Sequence, residues 1–390
     1  MPGVGVCARA WALSLVAIAA GLAAASVARA QALVQDGEDG VSFALDSVAA
    51  PIVEPGLLTF YARDLGANAP RMLRVDARGV RVEPGAAAAS VVACRGTRWL
   101  LDYADRGNRG RWSLRAHGAA ELWSREGAVA DFAMVTLGCS GAAPVVGWLE
   151  RGELVTLTPG ASPSATPAVT SVRVLPATER GDVEWRRAPS GEIFAAVRAW
   201  SPRPAELLRI ASGVVTHRAS LGMASDIRVA LSPSADRVLV ARHLAPDAHL
   251  SFASFAATDL APGPESPLPV ATPGERRRTV TCAWLAPGRS GRVVLALVES
   301  WEDGWVAIAQ GPNEPDRHEP AHHSAVMLRV WEPRTGRIGP ALALGSRYAG
   351  AGAWLGDRFV LVTPVEPDGV VGGIVQLRAA RIRRFSVRAP

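Results

Sequence analysis

The residues best suited to chemistry include a short histidine motif near the C-terminal end. Residues 318–322 read His-Glu-Pro-Ala-His, which matches the HExxH pattern of zinc metalloproteases, where two histidines one helical turn apart hold the metal. Pro320 lacks an N–H donor and disfavours a helix at the residue before it. We therefore expect a solvated loop and assign no metal site, with weak metal binding by His318, His322 and His323 as the alternative.

A second cluster combines aromatic and acidic residues. Trp301, Glu302, Asp303 and Trp305 lie within five positions. Exposed tryptophans stack on sugar rings, and paired carboxylates are the working groups of glycosidases, so the cluster is a candidate ligand site. The alternative, which we favour, is a β-hairpin whose loop uses Gly304 for its turn, with the two tryptophans packed across the ladder.

Three cysteines follow the N-terminal segment, and each lies in or beside an apolar stretch. Cys94, Cys139 and Cys282 are preceded by similar runs of small and β-branched residues, which indicates equivalent positions in a repeated unit. Packed sheets lie about 10 Å apart, farther than a disulfide can bridge. We therefore favour small buried side chains, with a Cys94–Cys139 disulfide as the alternative.

The charge balance gives weak evidence for a nucleic-acid partner. The formal net charge is +6, and all 42 basic residues are arginine. Arginine runs at 106–111 and 276–278 could bind phosphates or anionic sugars, but solvated turns are the simpler interpretation. The common nucleotide, nucleophile and redox motifs are absent, and we expect no cofactor.

These candidates must be positioned by short strands rather than helices. The chain contains 38 glycines and 29 prolines, a density that excludes helix bundles and coiled coils. One pattern recurs, in which an apolar strand is followed by a short polar turn, a charged residue and a second apolar run. In its seven copies, the residues that precede the second run are Gly56, Arg98, Glu153, Glu192, Arg237, Arg292 and Arg358.

This spacing predicts an all-β fold, a β-propeller. Repeats of 40 to 50 residues built from short strands are typical of propellers. One small antiparallel sheet cannot cover both of its faces, so it packs against its neighbours until the circle closes. We expect seven blades, with six or eight left open.

The turn at residues 231–240, Leu-Ser-Pro-Ser-Ala-Asp-Arg-Val-Leu-Val, resembles the Ser-Pro-Asp-Gly repeats of TolB-like and WD-type propellers. The resemblance covers six short windows and implies the fold, without implying any functional residue. Within a single domain spanning residues 31–390, Pro/Ser/Gly-rich stretches near 159–167, 261–273 and 311–320 are expected to be surface insertions. We further expect residues 374–389 to pair with residues 41–45 and so close the ring.

The first 30 residues have the features of an export signal. Arg9 precedes an almost wholly apolar run over residues 10–25, and Ala28-Arg29-Ala30 matches the small-x-small pattern of a cleavage site. The apolar run is shorter than a transmembrane helix, so we expect no membrane span after cleavage, although an uncleaved anchor is the alternative. The mature protein is then predicted to begin near Gln31 in the periplasm or outside the cell.

These features predict a binding protein rather than an enzyme. The first hypothesis is an exported, non-catalytic propeller that binds a protein or glycan partner in the cell envelope. The second is an exported hydrolase or lyase that uses carboxylates near residues 299–303 or the histidines of residues 318–323. The third is a structural envelope protein without a ligand site. An enzyme would need two or more titratable groups to converge in one pocket.

Overall fold

The computed structural model describes residues 31–388 apart from a set of short segments. The segments outside the description are 41–44, 65, 66, 68, 87, 107, 108, 129–132, 245–248, 269–278, 309–316, 347, 364–366, 372, 373, 378 and 379. The described residues form strands and turns without a helix, and so none of them belongs to an apolar helix long enough to cross a bilayer.

The described strands follow one another along the whole chain. In chain order, the strands up to residue 128 are β1 (Ala32–Gly40), β2 (Leu45–Val48), β3 (Ile52–Glu54), β4 (Leu57–Asp64), β5 (Ala69–Asp76), β6 (Gly79–Pro84), β7 (Ser90–Cys94), β8 (Thr97–Arg106), β9 (Arg109–Ala116) and β10 (Glu121–Ala128). The strands up to residue 268 are β11 (Ala133–Ser140), β12 (Ala143–Glu150), β13 (Glu153–Thr158), β14 (Ala168–Arg173), β15 (Gly181–Arg187), β16 (Ile193–Ala199), β17 (Ala205–Ala211), β18 (Val214–Gly222), β19 (Ala224–Leu231), β20 (Arg237–Leu244), β21 (His249–Ala256) and β22 (Pro262–Leu268). The remaining strands are β23 (Thr279–Pro287), β24 (Val293–Ile308), β25 (Arg317–Glu332), β26 (Arg337–Ile338), β27 (Leu342–Ala343), β28 (Ala351–Leu355), β29 (Arg358–Thr363), β30 (Pro367–Val371), β31 (Ile374–Leu377) and β32 (Arg381–Arg388).

Seven antiparallel sheets arranged as a ring account for almost all of these strands. Blade 1 contains β2 to β6, blades 2 to 5 take four consecutive strands each, blade 6 contains β23 to β27, and blade 7 combines β28, β29, β32 and β1. The innermost strands β3, β7, β11, β15, β19, β23 and β28 each contact the next one, and β28 contacts β3 again. The protein is therefore a seven-bladed β-propeller, as the sequence predicts.

The core lies between the blades rather than inside one of them. The second strand of blade 4, β16, is buried along almost its whole length, because both of its faces pack against neighbouring blades. The outer strand β18 alternates between exposed and half-buried residues. Phe194 of blade 4 and Val238 of blade 5 belong to one cluster of fully buried side chains. Burial of apolar surface between adjacent sheets thus stabilises the ring.

Strands from both ends of the chain close the ring. β1 pairs with β32 in antiparallel register from Ala32↔Arg388 to Gly40↔Arg381. Glu38 forms an ion pair with Arg381 at 2.8 Å, and Asp39 forms one with Arg384. The predicted seam is therefore present, but its N-terminal partner is the polar segment 32–40 instead of residues 41–45.

The reason for this difference is the position of β1 at the outer edge of its sheet. An outer strand needs few apolar residues, so the acidic segment suits it better than the apolar one. Leu33 alone in β1 is deeply buried, and it packs in the cluster formed by blades 6 and 7. Leu45 instead begins β2 in blade 1, and residues 41–44 lie outside the described residues.

The repeated turns lie where the sequence places them, with one exception. Turns between the first and second strands precede β4, β8, β16, β20, β24 and β29. In blade 3 the predicted copy ending at Glu153 joins the second strand to the third, and the true equivalent lies between Ser140 and Ala143. Both turns are two-residue hairpins that contain a glycine with positive φ, Gly141 and Gly152, so their local sequences resemble each other.

Two of the three expected insertions differ from surface loops in the structure. Residues 159–167 do connect β13 to β14 without regular structure. Residues 262–268 form β22, the outer edge strand of blade 5, where prolines are tolerated because one side of the strand has no partner. Residues 317–320 belong to β25. The rest of these two segments, residues 269–273 and 311–316, lies outside the described residues.

Candidate functional site

The candidate site is a cleft on one rim of the ring. Successive strands of a blade run in opposite directions, so turns from first to second strand and from third to fourth strand share one rim. We call this the cleft rim. A cleft of about 770 Å³ opens there between the first turns of blades 5 and 6 and the turn from β25 to β26. Its charged lining side chains are Asp236, Arg237, Arg289, Arg292, Glu332 and Arg334.

The blade 5 turn is held rigid by its own polar side chains. The hydroxyls of Ser232 and Ser234 both donate to the carboxylate of Asp236, and the N–H of Arg237 donates to the Ser232 hydroxyl at 3.0 Å. These serine hydrogen bonds lower the pKa of Asp236 below its ordinary value. Asp236 is therefore a fixed anion at neutral pH rather than a group suited to proton transfer.

The blade 6 turn is held by its backbone and by a tryptophan of blade 7. The N–H of Gly288 donates to the carbonyl of Arg292 at 2.7 Å. A Cβ at position 288 would lie 2.8 Å from the indole of Trp354, which itself donates to the carbonyl of Ala286 at 2.9 Å. Glycine at 288 thus allows Trp354 to pack against the turn, and the side chain of Arg289 is left exposed.

The cleft carries an excess of positive charge. It contains four arginines and two carboxylates, and we call it the arginine cleft. Arg237 donates to the hydroxyl of Ser254 at 3.1 Å, and Glu332 accepts from the hydroxyl of Thr335 at 3.1 Å. Within the described part of the chain, Arg289, Arg292 and Arg334 form no ion pair with a carboxylate.

This arrangement is suited to binding an anion. A guanidinium group presents planar, paired N–H donors that match a carboxylate, a phosphate or a sulfate. The two hydrogen-bonded turns of blades 5 and 6 carry three of these arginines, and Arg334 lies on the β25–β26 turn. Gln31, the predicted first residue of the mature chain, also lines the cleft. The cleft is therefore a positively charged candidate site for an anionic ligand.

The structure brings the two sequence-predicted clusters together on one long hairpin, away from the arginine cleft. β24 and β25 extend beyond the rest of blade 6, with Trp301 opposite His323 and Glu302 opposite His322. The rings of Trp301 and His323 stack with centroids 5.6 Å apart. β24 passes through Glu302 to Trp305 with a register shift, so the hairpin loop expected at Gly304 is replaced by an irregularity within a strand.

The histidine motif lies in an extended strand rather than in the loop that we expected. His318 pairs with Ala307 of β24, and four residues of a strand span about 13 Å. The helical arrangement of an HExxH zinc site is therefore not formed. The side chains of Glu302, Asp303, Trp305, His318 and His322 lie outside the described residues. Among the described side chains, no three His, Cys, Asp or Glu residues lie close enough to hold a metal.

The structure joins Cys94 to Cys139 in a disulfide, where the sequence analysis favoured separate thiols. All three cysteines lie on innermost strands, as the repeat indicates, and the Cα atoms of Cys94 and Cys139 are 5.6 Å apart. The distance of about 10 Å holds for sheets packed face to face, but neighbouring blades converge towards the axis. Cys282 is free and buried, and burial raises the pKa of its thiol.

The arginine cleft is the site that sequence reasoning missed. The turns ending at Arg237 and Arg292 were recognised only as copies of the repeat. These two turns are close in space only because the ring brings turns from successive repeats together on one rim. The available signal was the recurrence of arginine at the same position in consecutive repeats.

Comparisons with solved structures find propellers among the chains similar to this protein. No protein-family model matches it, and no curated protein matches it. It is similar to the C-terminal WD40 domain of Sif2, at 9% identity over 92% of this chain and 99% of that chain, with a TM-score of 0.47.

Two further solved structures show a similar relationship. The β-propeller domain of the Trilobed protease from Pyrococcus furiosus is 11% identical over 87% of this chain and 98% of that chain, with a TM-score of 0.45. The Dos1 propeller is 9% identical over 92% of this chain and 95% of that chain, with a TM-score of 0.43. The propeller fold that the resemblance implies is present in the seven sheets of this chain.

Proposed function

We propose that this chain is an exported β-propeller that binds a protein or glycan partner in the cell envelope and catalyses no reaction. The arginine cleft is the observation that carries the proposal. Three guanidinium groups without a carboxylate partner among the described residues face one preorganised cleft, and a partner with acidic groups would complete their charge pairing. The lowered pKa of Asp236 fits a binding role better than acid–base catalysis.

Export is supported by two independent features of the chain. Residues 1–30 have the composition of a cleavable signal, and Cys94 and Cys139 are joined in a disulfide. Disulfides persist in oxidising compartments and are rare in the cytosol. Cell fractionation followed by mass spectrometry tests this part of the proposal. We expect a chain that begins at Gln31 in the periplasm or medium, and an intact chain in the cytosol would contradict it.

Binding is tested by calorimetric titration of the mature chain with two defined anionic probes. A decapeptide of glutamates represents an acidic protein segment, and a short polygalacturonate represents an anionic glycan. We expect one of them to bind with an affinity that falls as salt rises, because exposed ion pairs are screened. The probe that binds assigns the partner class, and binding of neither would refute the proposal.

The matched variants connect binding to the cleft. Combining Arg289→Glu with Arg334→Glu replaces two cleft cations and should weaken binding by at least about tenfold. Arg358→Glu is the control, because Arg358 is equally exposed at the corresponding turn of blade 7 but does not line the cleft. Equal affinities of the probe for the double variant and for the control would show that it binds outside the arginine cleft.

A hydrolase or lyase is the second candidate function, and the long hairpin of blade 6 is the observation that favours it. The register of β24 and β25 places Trp301, Glu302, His322 and His323 at adjacent positions. Metal analysis of the purified protein, compared with His323→Ala, tests this alternative. Stoichiometric metal that the substitution removes would favour the enzyme, and its absence from both proteins would remove the metal-dependent form of this alternative.

A further inference from the structure

The opposite rim of the ring carries a fixed and exposed tryptophan. Turns from second to third strand, and connections between blades, lie on this rim because strand directions alternate. Trp200 lies in the turn between β16 and β17 of blade 4, and 59% of it is exposed. Among the described tryptophans it alone has this degree of exposure. Most of the other large aromatic residues pack between blades, so Trp200 contributes little to the core.

Hydrogen bonds hold Trp200 in place although it is exposed. Its indole N–H donates to the carboxylate of Asp182 at 3.1 Å, and its backbone N–H donates to the carbonyl of Arg180 at 2.9 Å. The bond to Asp182 orients the ring, and the backbone bond fixes the chain at the start of the turn. The face of the indole is therefore presented to solvent by preorganised contacts.

A chain of polar contacts connects this ring to the next blade. Asp182 also forms an ion pair with Arg198, and Arg198 donates to the carbonyl of Ser225 in blade 5. The exposed hydroxyl of Ser225 lies 2.7 Å from Nδ1 of His243. We call Trp200, Asp182, Arg198 and Ser225 the Trp200 patch. It combines one apolar face with a carboxylate, a guanidinium and a hydroxyl.

A cavity flanks the same turn. It has a volume of about 290 Å³, and its lining includes Ala199, Arg203 and Pro204, which surround Trp200 in sequence. Arg203 is fixed by Glu179, whose carboxylate it contacts at 3.0 Å. The turn therefore offers both a flat apolar surface and an adjacent recess with ordered polar groups.

We propose that the Trp200 patch binds a pyranose ring of a glycan. A pyranose has an apolar C–H face, which packs on an indole, and hydroxyls around its edge, which need both donors and acceptors. Asp182 supplies an acceptor, Arg198 supplies donors, and the hydroxyl of Ser225, whose proton is directed at His243, supplies a further acceptor. A protein hot spot would instead favour apolar neighbours that exclude water from the indole, whereas the indole of Trp200 donates to a carboxylate that is itself ion-paired with Arg198.

This inference goes beyond the proposed function, because the patch and the arginine cleft lie on opposite rims. The two sites use different chemistry, since the cleft selects negative charge and the patch selects a sugar face. Variants of one site should leave binding at the other unchanged. Failure of either proposal is therefore distinguishable from failure of the other.

The experiment is an array of neutral hexose and N-acetylhexosamine oligosaccharides probed with the mature protein, followed by calorimetry with the strongest binder. We expect binding that Trp200→Ala weakens by at least about tenfold and that Trp200→Phe largely retains, because a flat ring remains. Tyr348→Ala is the matched control, since Tyr348 is 53% exposed in a connection between blades on the same rim. It should bind as the wild type does.

Melting curves of each variant establish that the fold is intact. An array without any bound sugar overturns the proposal, and so does wild-type affinity in Trp200→Ala. If no sugar binds but Trp200→Ala abolishes capture of an envelope protein, the patch is a protein interface and the glycan proposal is wrong. The combination of Arg289→Glu with Arg334→Glu should bind the sugar normally.

Discussion

The disulfide between Cys94 and Cys139 should contribute strongly to the stability of the ring. It links the innermost strands of blades 2 and 3 across 45 positions of sequence. Replacing both cysteines by alanine removes the crosslink while keeping small apolar side chains at two packed positions. Without the crosslink the unfolded chain has a higher conformational entropy, which lowers the free energy of unfolding.

The size of this effect follows from the length of the closed loop. Loop-closure entropy for about 45 residues corresponds to about 4 kcal/mol at 25 °C. For a chain of this size, such a loss lowers the Tm by about 5 °C. Cavities left by the two sulfur atoms would add to the loss, so the value describes the entropic part alone.

Calorimetry with and without a reductant measures this contribution. The wild-type Tm should fall on reduction, and the double variant Cys94→Ala with Cys139→Ala should have a low Tm that the reductant leaves unchanged. Cys282→Ala serves as the control, because Cys282 is free and the variant should remain sensitive to the reductant. If the wild-type Tm is the same with and without reductant, the disulfide is absent in solution or stabilises nothing.

Two further predictions concern packing and pH. Gly147→Ala should destabilise the protein by about 1–3 kcal/mol, because its Cβ would lie 2.5 Å from the buried indole of Trp185; denaturant unfolding measures this, with Gly37→Ala, which meets nothing within 4 Å, as the unaffected control. Asp236→Asn should destabilise the protein at neutral pH by less than about 1 kcal/mol, since the carboxylate is exposed and screened. Because folding lowers the carboxyl pKa of Asp236, its stabilisation is fully present above about pH 4 and disappears as the pH falls through the folded-state value. The difference in stability between the wild type and the variant should therefore shrink as the pH falls from 7 to 2, and a difference that stays constant over this range would contradict this cause.

The sequence predicts the fold well because local turn chemistry and sheet packing agree. The turn at residues 232–237 and its relatives have polar, glycine- and proline-rich sequences that favour hairpins, and the apolar runs after them match the doubly buried second strands. The length of the repeat then limits the architecture to a ring. The one misplaced copy, in blade 3, arose because two glycine-containing turns in one blade have similar sequences.

Features that depend on distances across the ring were not predictable in this way. The Cys94–Cys139 disulfide requires the convergence of blades at the axis, and the arginine cleft requires turns from separate repeats to meet on one rim. Trp200 was one of many scattered tryptophans in the sequence, and only its measured exposure distinguishes it from those in the core. The acidic strand β1 closes the ring because ion pairs with β32 replace the apolar contacts that a pattern search looks for.

Closure of the ring by this N-terminal strand is the central claim about the fold, because β1 completes blade 7 and contacts β25 and β27 of blade 6. The most direct test is the melting of a chain that begins at residue 41, measured with and without a synthetic peptide of residues 31–40. We expect a clearly lower Tm for the shortened chain and its recovery when the peptide is added, but no recovery with a peptide carrying Glu38→Arg and Asp39→Arg. A shortened chain that melts like the wild type would contradict closure by β1.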